Sequence, residues 1–165
     1  MTTAEARHDP RARDFHFLLG SWAVRHSRLA HRLVGADDWE RFSGTAACRA
    51  VLDGLGNIDE IAMPSLGAVG MTLRLFDRSA RRWSLHWSSS LTGVLEPPVI
   101  GGFDRGVGRF YGDDTHDGQP IRVRFVWDRI TPTSARWQQA FSIDDERSWE
   151  TNWIMEFSRA PDPSE

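Results

Sequence analysis

The residues that could do chemistry in this chain are few, and their spacing excludes more than it supports. Six histidines occur (His8, His16, His26, His31, His86 and His116), with no His-x-His and no His-Glu-x-x-His arrangement. A zinc site built on paired imidazoles has no support, and no metal is expected. The single cysteine, Cys48, excludes an intramolecular disulfide and a thiolate-rich metal centre. In its Ala-rich stretch it reads as a small buried hydrophobe. The run Ser88-Ser89-Ser90 lacks a Gly-x-Ser-x-Gly setting. All 20 basic residues are arginine, which removes Schiff-base chemistry and a phosphate-loop lysine. The glycines from Gly101 to Gly108 do not lead from a strand into a helix, and they fit bulges and sheet corners instead of a phosphate cradle.

Acid/base chemistry is what remains. An inward-facing Glu60 would be the best general base, because burial raises a carboxyl pKa toward neutrality. His26 is the other proton shuttle, and Arg49 or Arg124 could stabilise an anion. A structural ion pair of Glu60 with Arg49 or Arg124 is the competing reading. If the chain is an enzyme, these residues imply cofactor-free isomerisation, cyclisation or hydration of an apolar molecule.

Positioning such groups requires a rigid scaffold, and the chain can supply one. Its 165 residues, 40% hydrophobic and 26% charged, describe one soluble globular domain spanning 1–165, with an ordered core at about 10–159. The net charge of -3 offers no basic stripe for nucleic acid. The polar N-terminus has no signal-peptide core, and no apolar run is long enough to span a membrane, so a cytoplasmic location is expected. The polar ends, the first ~9 residues and those from Ala160, are expected to fray.

A helix is predicted over Pro10–Leu19, capped by Asp9, with Phe15, Leu18 and Leu19 on one face and Gly20 as its stop. After Gly20 the apolar period becomes two. Trp22, Val24 and His26 share one phase, as do Met71, Leu73 and Leu75. So do Trp83, Leu85 and Trp87; Ile121, Val123, Phe125 and Trp127; Trp137, Gln139 and Phe141; and Trp149, Thr151, Trp153, Met155 and Phe157. Alternation of this kind marks strands with one buried face. Turn signals such as Asp53-Gly54, Asp117-Gly118 and Asp144-Asp145 separate the runs. About ten strands result, near 22–29, 41–52, 56–63, 70–77, 82–89, 99–104, 107–112, 121–130, 134–142 and 149–158. A flat sheet of that size would expose an apolar face and two edges. An all-β fold is therefore expected, a single antiparallel up-and-down barrel, with a sandwich as the competitor.

The chain has 8 tryptophans and 1 tyrosine. Six indoles, Trp83, Trp87, Trp127, Trp137, Trp149 and Trp153, fall on the inward phase. They either fill the barrel or line a pocket for an apolar or planar ligand. Inward polar groups among them, including Gln139 and His26, need partners from each other or from that ligand. The expected ligand contacts are Trp87, Tyr111, Trp127, Trp137, Gln139 and Trp153. The apolar connections 63–69 and 91–98 read as lids over a barrel mouth or as a homodimer contact.

Asp14 to Trp22, with its Gly-x-Trp ending, resembles the opening of lipocalin-like (calycin) barrels. With Trp83, Trp87, Gly102, Gln139, Phe141-Ser142, Trp149, Trp153 and Arg159, the chain resembles over residues 14–159 a bacterial family of calycin-like proteins of unassigned function. The resemblance implies a barrel whose first-strand indole, Trp22, closes one end beneath a basic side chain past the last strand, Arg159. More distantly the chain is similar to nitrobindin-like barrels, some of which carry heme. That similarity makes His26 an axial-ligand candidate, although no histidine follows His116 where those barrels place theirs. No cofactor is the primary expectation.

Overall fold

The computed structural model describes residues 9–160. Of the ends expected to fray, the first ~9 residues and those from Ala160, residues 1–8 and 161–165 lie outside the described residues. Ten strands form a closed barrel: β1 (Gly20–Leu29), β2 (Trp39–Val51), β3 (Gly56–Met63), β4 (Ala68–Asp77), β5 (Arg82–Ser89), β6 (Val99–Asp104), β7 (Val107–His116), β8 (Gln119–Asp128), β9 (Ser134–Ser142) and β10 (Glu150–Arg159). Each strand pairs antiparallel with its sequence neighbour, and β1 pairs with β10 to close the ring. Closure leaves no sheet edge and turns one apolar face inward, as the alternation requires. Two-residue connections tighten the far side. Asp117 and Gly118 both adopt positive φ between β7 and β8, the backbone that matches hairpin twist. No helix among the described residues is long and apolar enough to cross a membrane.

The helix expected over Pro10–Leu19 is instead two 3-10 turns, Pro10–Arg13 and His16–Leu18. Asp9 does cap the first, accepting from the Arg11 amide at 3.1 Å. The tighter period suits Phe15 and Leu18, three residues apart and both buried, which enter the barrel as a plug. Leu19 is already extended and leads into β1. Phe15 meets Trp83, Phe103 and Trp127 edge-on at 4.9–6.1 Å. Trp83 also ties the plug down by donating its indole N–H to the Arg11 carbonyl at 3.0 Å.

One side chain locks plug and seam together. The Arg159 guanidinium lies 3.8 Å from the centre of the Trp22 ring, as expected from the sequence. It donates to the carbonyls of Leu19 (2.6 Å), Phe17 (2.8 Å) and Pro132 (3.3 Å). Trp22 in turn donates its indole N–H to the Leu18 carbonyl at 2.8 Å. The first strand, the last strand and the plug are thus one unit.

The phase of β4 is opposite to that expected. Thr72, Arg74 and Phe76 are buried, while Met71, Leu73 and Leu75 are half-exposed on the outside. The reason is a buried ion pair: Arg74 Nη2 lies 2.8 Å from Asp59 Oδ2, at 3% and 1% side-chain exposure. Asn57 accepts from Arg74 Nη1 at 3.0 Å, and Asp59 accepts from the Thr72 amide at 3.1 Å. The guanidinium also faces the rings of Phe15 and Trp127. A pair this deep loses as much hydration as it gains in attraction, so its worth lies in matching the two partners.

Two stability outcomes follow. Arg159→Ala is expected to cost about 2–4 kcal/mol, from the lost stacking and charge-assisted hydrogen bonds. Thermal unfolding should then fall by roughly 5–15 °C, with Arg159→Lys recovering only part because an ammonium lacks the planar fork. Arg74→Met alone should cost about 3–5 kcal/mol by stranding Asp59, and pairing it with Asp59→Leu should restore much of that in urea melts. A double variant no more stable than Arg74→Met would mean the pair is not coupled.

Candidate functional site

The barrel interior is filled from the plugged end to its middle. There a void of about 20 Å³ remains among Thr72, Arg74, Trp87, Phe125, Trp127 and Trp137. That is room for one water, not for a ligand. Above it, at the end opposite the plug, a cavity of about 240 Å³ opens. Leu85, Trp87 and Phe125 border both spaces and form the floor of the upper one. Its walls are Val99, Val123, Phe141, Gln139 and Trp153, and its rim carries Arg28, Arg32, Glu96, Asp114 and His116.

Strand direction explains this placement. β1, β5, β7 and β9 run from the plug toward the mouth, so the late residues of each reach the cavity. Arg28 continues the inward phase of Trp22, Val24 and His26. The connections 63–69 and 90–98 both lie at the mouth, joined by the Ser90 amide donating to the Val69 carbonyl at 2.9 Å. Segment 90–98 turns Glu96 and Pro97 inward, while Leu91, Val94 and Leu95 are more than half exposed.

Trp87 owes its position to a glycine. A Cβ at Gly70 would overlap the six-membered part of the Trp87 indole, so the ring lies flat against bare backbone. Trp153 meets Trp87 and Trp137 edge-on at 5.9 and 5.8 Å. Its indole N–H donates to His26 Nδ1 at 3.0 Å, and the imidazole stacks on Phe42 at 4.4 Å. Burial, reinforced by Arg28, pushes the His26 pKa down to about 4. The ring is therefore neutral near pH 7, and only then can Nδ1 accept from Trp153.

The candidate acid/base set changes accordingly. Glu60 and Arg49 are exposed and border a groove on the outer wall. Arg124 lies outside as well, 4.5 Å over the Trp149 ring. Among the described residues Glu60 pairs with neither arginine. β3 carries isoleucine on both phases, and the inward carboxylate is Asp59, committed to Arg74. His26 is buried but borders neither space, so it acts by holding Trp153. Heme iron, which the distant resemblance raised, would need an imidazole nitrogen facing the cavity, and His26 does not present one. Among the described residues no group of three or more His, Cys, Asp or Glu is placed to hold a metal. Cys48 is buried, and burial pushes its thiol up to about 11, as befits an inert core residue.

Of the expected ligand contacts, Trp87, Gln139 and Trp153 border the mouth cavity, whereas Trp127 and Trp137 border only the inner void. Tyr111 is on the outer wall, 6.1 Å from Trp149. Trp149 was expected inside. A bulge between Thr151 and Trp153 shifts the register, with Asn152 fully buried in it, and this turns Trp149 outward. Gln139 donates to Asn152 at 2.9 Å, so the bulge also sets the amide that borders the cavity. Sequence reasoning missed Arg28, Arg32, Glu96 and Asp114. For Arg28 the signal was present in its parity with His26. Glu96, on the opposite wall, has its carboxyl raised by burial and by Asp114.

The neutral His26 has a measurable consequence. Its folded pKa lies below that of an unfolded histidine, so between pH 6.5 and about 4 the unfolded chain binds the extra proton. Stability from this residue is complete above about pH 6.5 and falls toward pH 4 by about 1.4 kcal/mol per unit, on the order of 3 kcal/mol in all. His26→Gln should flatten that part of a stability-versus-pH curve, and an unchanged slope would refute the assignment.

No protein-family model matches the chain, and no curated protein matches it. Among solved structures it is similar to the S-type phycobiliprotein lyase CPES from Guillardia theta, with 12% identity, a TM-score of 0.57, and coverage of 98% of this chain and 99% of that one. At this identity the likeness is one of fold, and it extends over the whole closed barrel.

Proposed function

We propose that the protein binds a small aromatic or hydrophobic molecule in the mouth of a calycin-like barrel. The observation that carries this reading is the cavity of about 240 Å³ floored by Leu85, Trp87 and Phe125 and walled by Phe141 and Trp153. The cavity joins an aromatic floor and wall to a polar, charged rim, and a concave surface that combines apolar area with directed polar groups is the usual form of a small-molecule site. The plug and the inner aromatic layers confine the ligand to the upper third. It therefore lies across the mouth, its flat face against Trp87 and an edge toward Gln139. The solved structure of like fold is by its name a lyase for phycobiliproteins, which supports the capacity of this architecture for small-molecule work, although fold alone does not fix function.

Titration with N-phenyl-1-naphthylamine, a neutral planar probe, tests the reading. Saturable quenching of tryptophan emission with matching rise of probe emission is the expected result. Gly70→Ala should weaken binding about ten-fold or more, because the added methyl displaces the Trp87 ring, with an overpacking cost of roughly 1–3 kcal/mol. Gly102→Ala is the control, since a Cβ there meets nothing within 4 Å. Absence of saturable binding in the unsubstituted protein would overturn the proposal.

A further inference from the structure

Two guanidiniums at the mouth have no counter-ion. Arg28 lies 5.0 Å and Arg32 5.8 Å from the same Trp153 ring, and Arg32 also faces Phe141 at 5.5 Å. Among the described residues neither makes an ion pair, whereas five other arginines do. Arg28 Nε and Arg32 Nη2 are sealed from solvent and have no hydrogen-bond partner. Two like charges are thus held side by side on an aromatic platform at the edge of the cavity. Such an arrangement is costly unless something completes it.

The nearest acidic groups do not complete it. Glu40 and Glu150 act on Arg28 and Arg32 only at longer range, and Glu150 spends an oxygen on the Leu33 amide at 2.8 Å, which anchors the loop bearing Arg32. Glu96 and Asp114 border the same cavity from β7 and the connection before β6. In the strand order these lie across the barrel from β1, where they repel an anion toward the arginines.

Resting on the mouth-binding reading, we infer that the ligand is an amphipathic oxyanion: a planar apolar body over Trp87 and Phe125, with a carboxylate, phosphate or sulfonate held between Arg28 and Arg32. Guanidinium forks suit such groups because two N–H bonds can run in parallel to two oxygens. Both side chains border the cavity.

The test compares three ligands that share one ring system: 2-naphthoate, 2-naphthyl phosphate and neutral 2-naphthamide, titrated at pH 7.5 by tryptophan quenching. At least one anion should bind ten-fold or more tightly than the amide, and the stronger of the two identifies the head group. In Arg28→Gln/Arg32→Gln the ratio of anion to amide affinity should fall to about one, whatever the change in amide affinity itself. Arg28→Lys/Arg32→Lys, which keeps the charge, should retain part of the preference and covers the case that the glutamine variant fails to fold. Equal binding of anion and amide by the unsubstituted protein would overturn the oxyanion assignment and leave the mouth reading standing. So would a preference that survives in the glutamine variant. Binding of none of the three would sink both.

Discussion

The stacking of Arg159 on Trp22 is the contact on which the rest of the barrel depends. It stands at the seam where the last strand meets the first, and its remaining N–H groups take the carbonyls of Phe17 and Leu19. One side chain thereby closes the ring and fastens the plug. Because the plug fills that end with Phe15 and Leu18, any opening must be at the other end. The location of the open end is decided by an interaction at the opposite one.

Side-chain volume grades the interior from that point. Rings pack edge-to-face through the lower half, leaving a one-water void of about 20 Å³ beneath Trp87 and Phe125. Trp22, Trp83, Trp127 and Trp137 fill the interior, while Trp87 and Trp153 border the mouth cavity. Trp39, at the start of β2, and Trp149, outside the barrel, do neither.

Several polar groups inside the barrel are tied to specific partners. Asp59 and Arg74 neutralise each other at depth. His26 stays neutral and holds Trp153. Buried nitrogens without a hydrogen-bond partner occur in the core, on His26, Arg74, Trp127 and Asn152, as well as at the mouth, on Arg28 and Arg32. Polar groups in low dielectric are costly when unpaired, which favours the pairs that do form.

The amino-acid sequence alone determined the number of strands, their near boundaries, closure into a barrel and the Trp22–Arg159 pair. The first three rest on local signals, namely period-two alternation, turn residues and the bulk of indole on one phase, while the pair was implied by the resemblance that Trp22 and Arg159 carry. Alternation could not settle which phase faces inward where both carry apolar residues. On β3 and β4 the inward phase holds Asp59 and Arg74, a choice made by an ion pair between neighbouring strands and a cation over Phe15. Nor could it register the bulge at Asn152, which reverses the phase of Trp149 by inserting one residue. The mouth itself is tertiary. Arg28 and Arg32, Glu96, and Trp153 come from distant parts of the chain and meet only because closure brings the end of β1, the connection between β5 and β6, and the start of β10 around one opening.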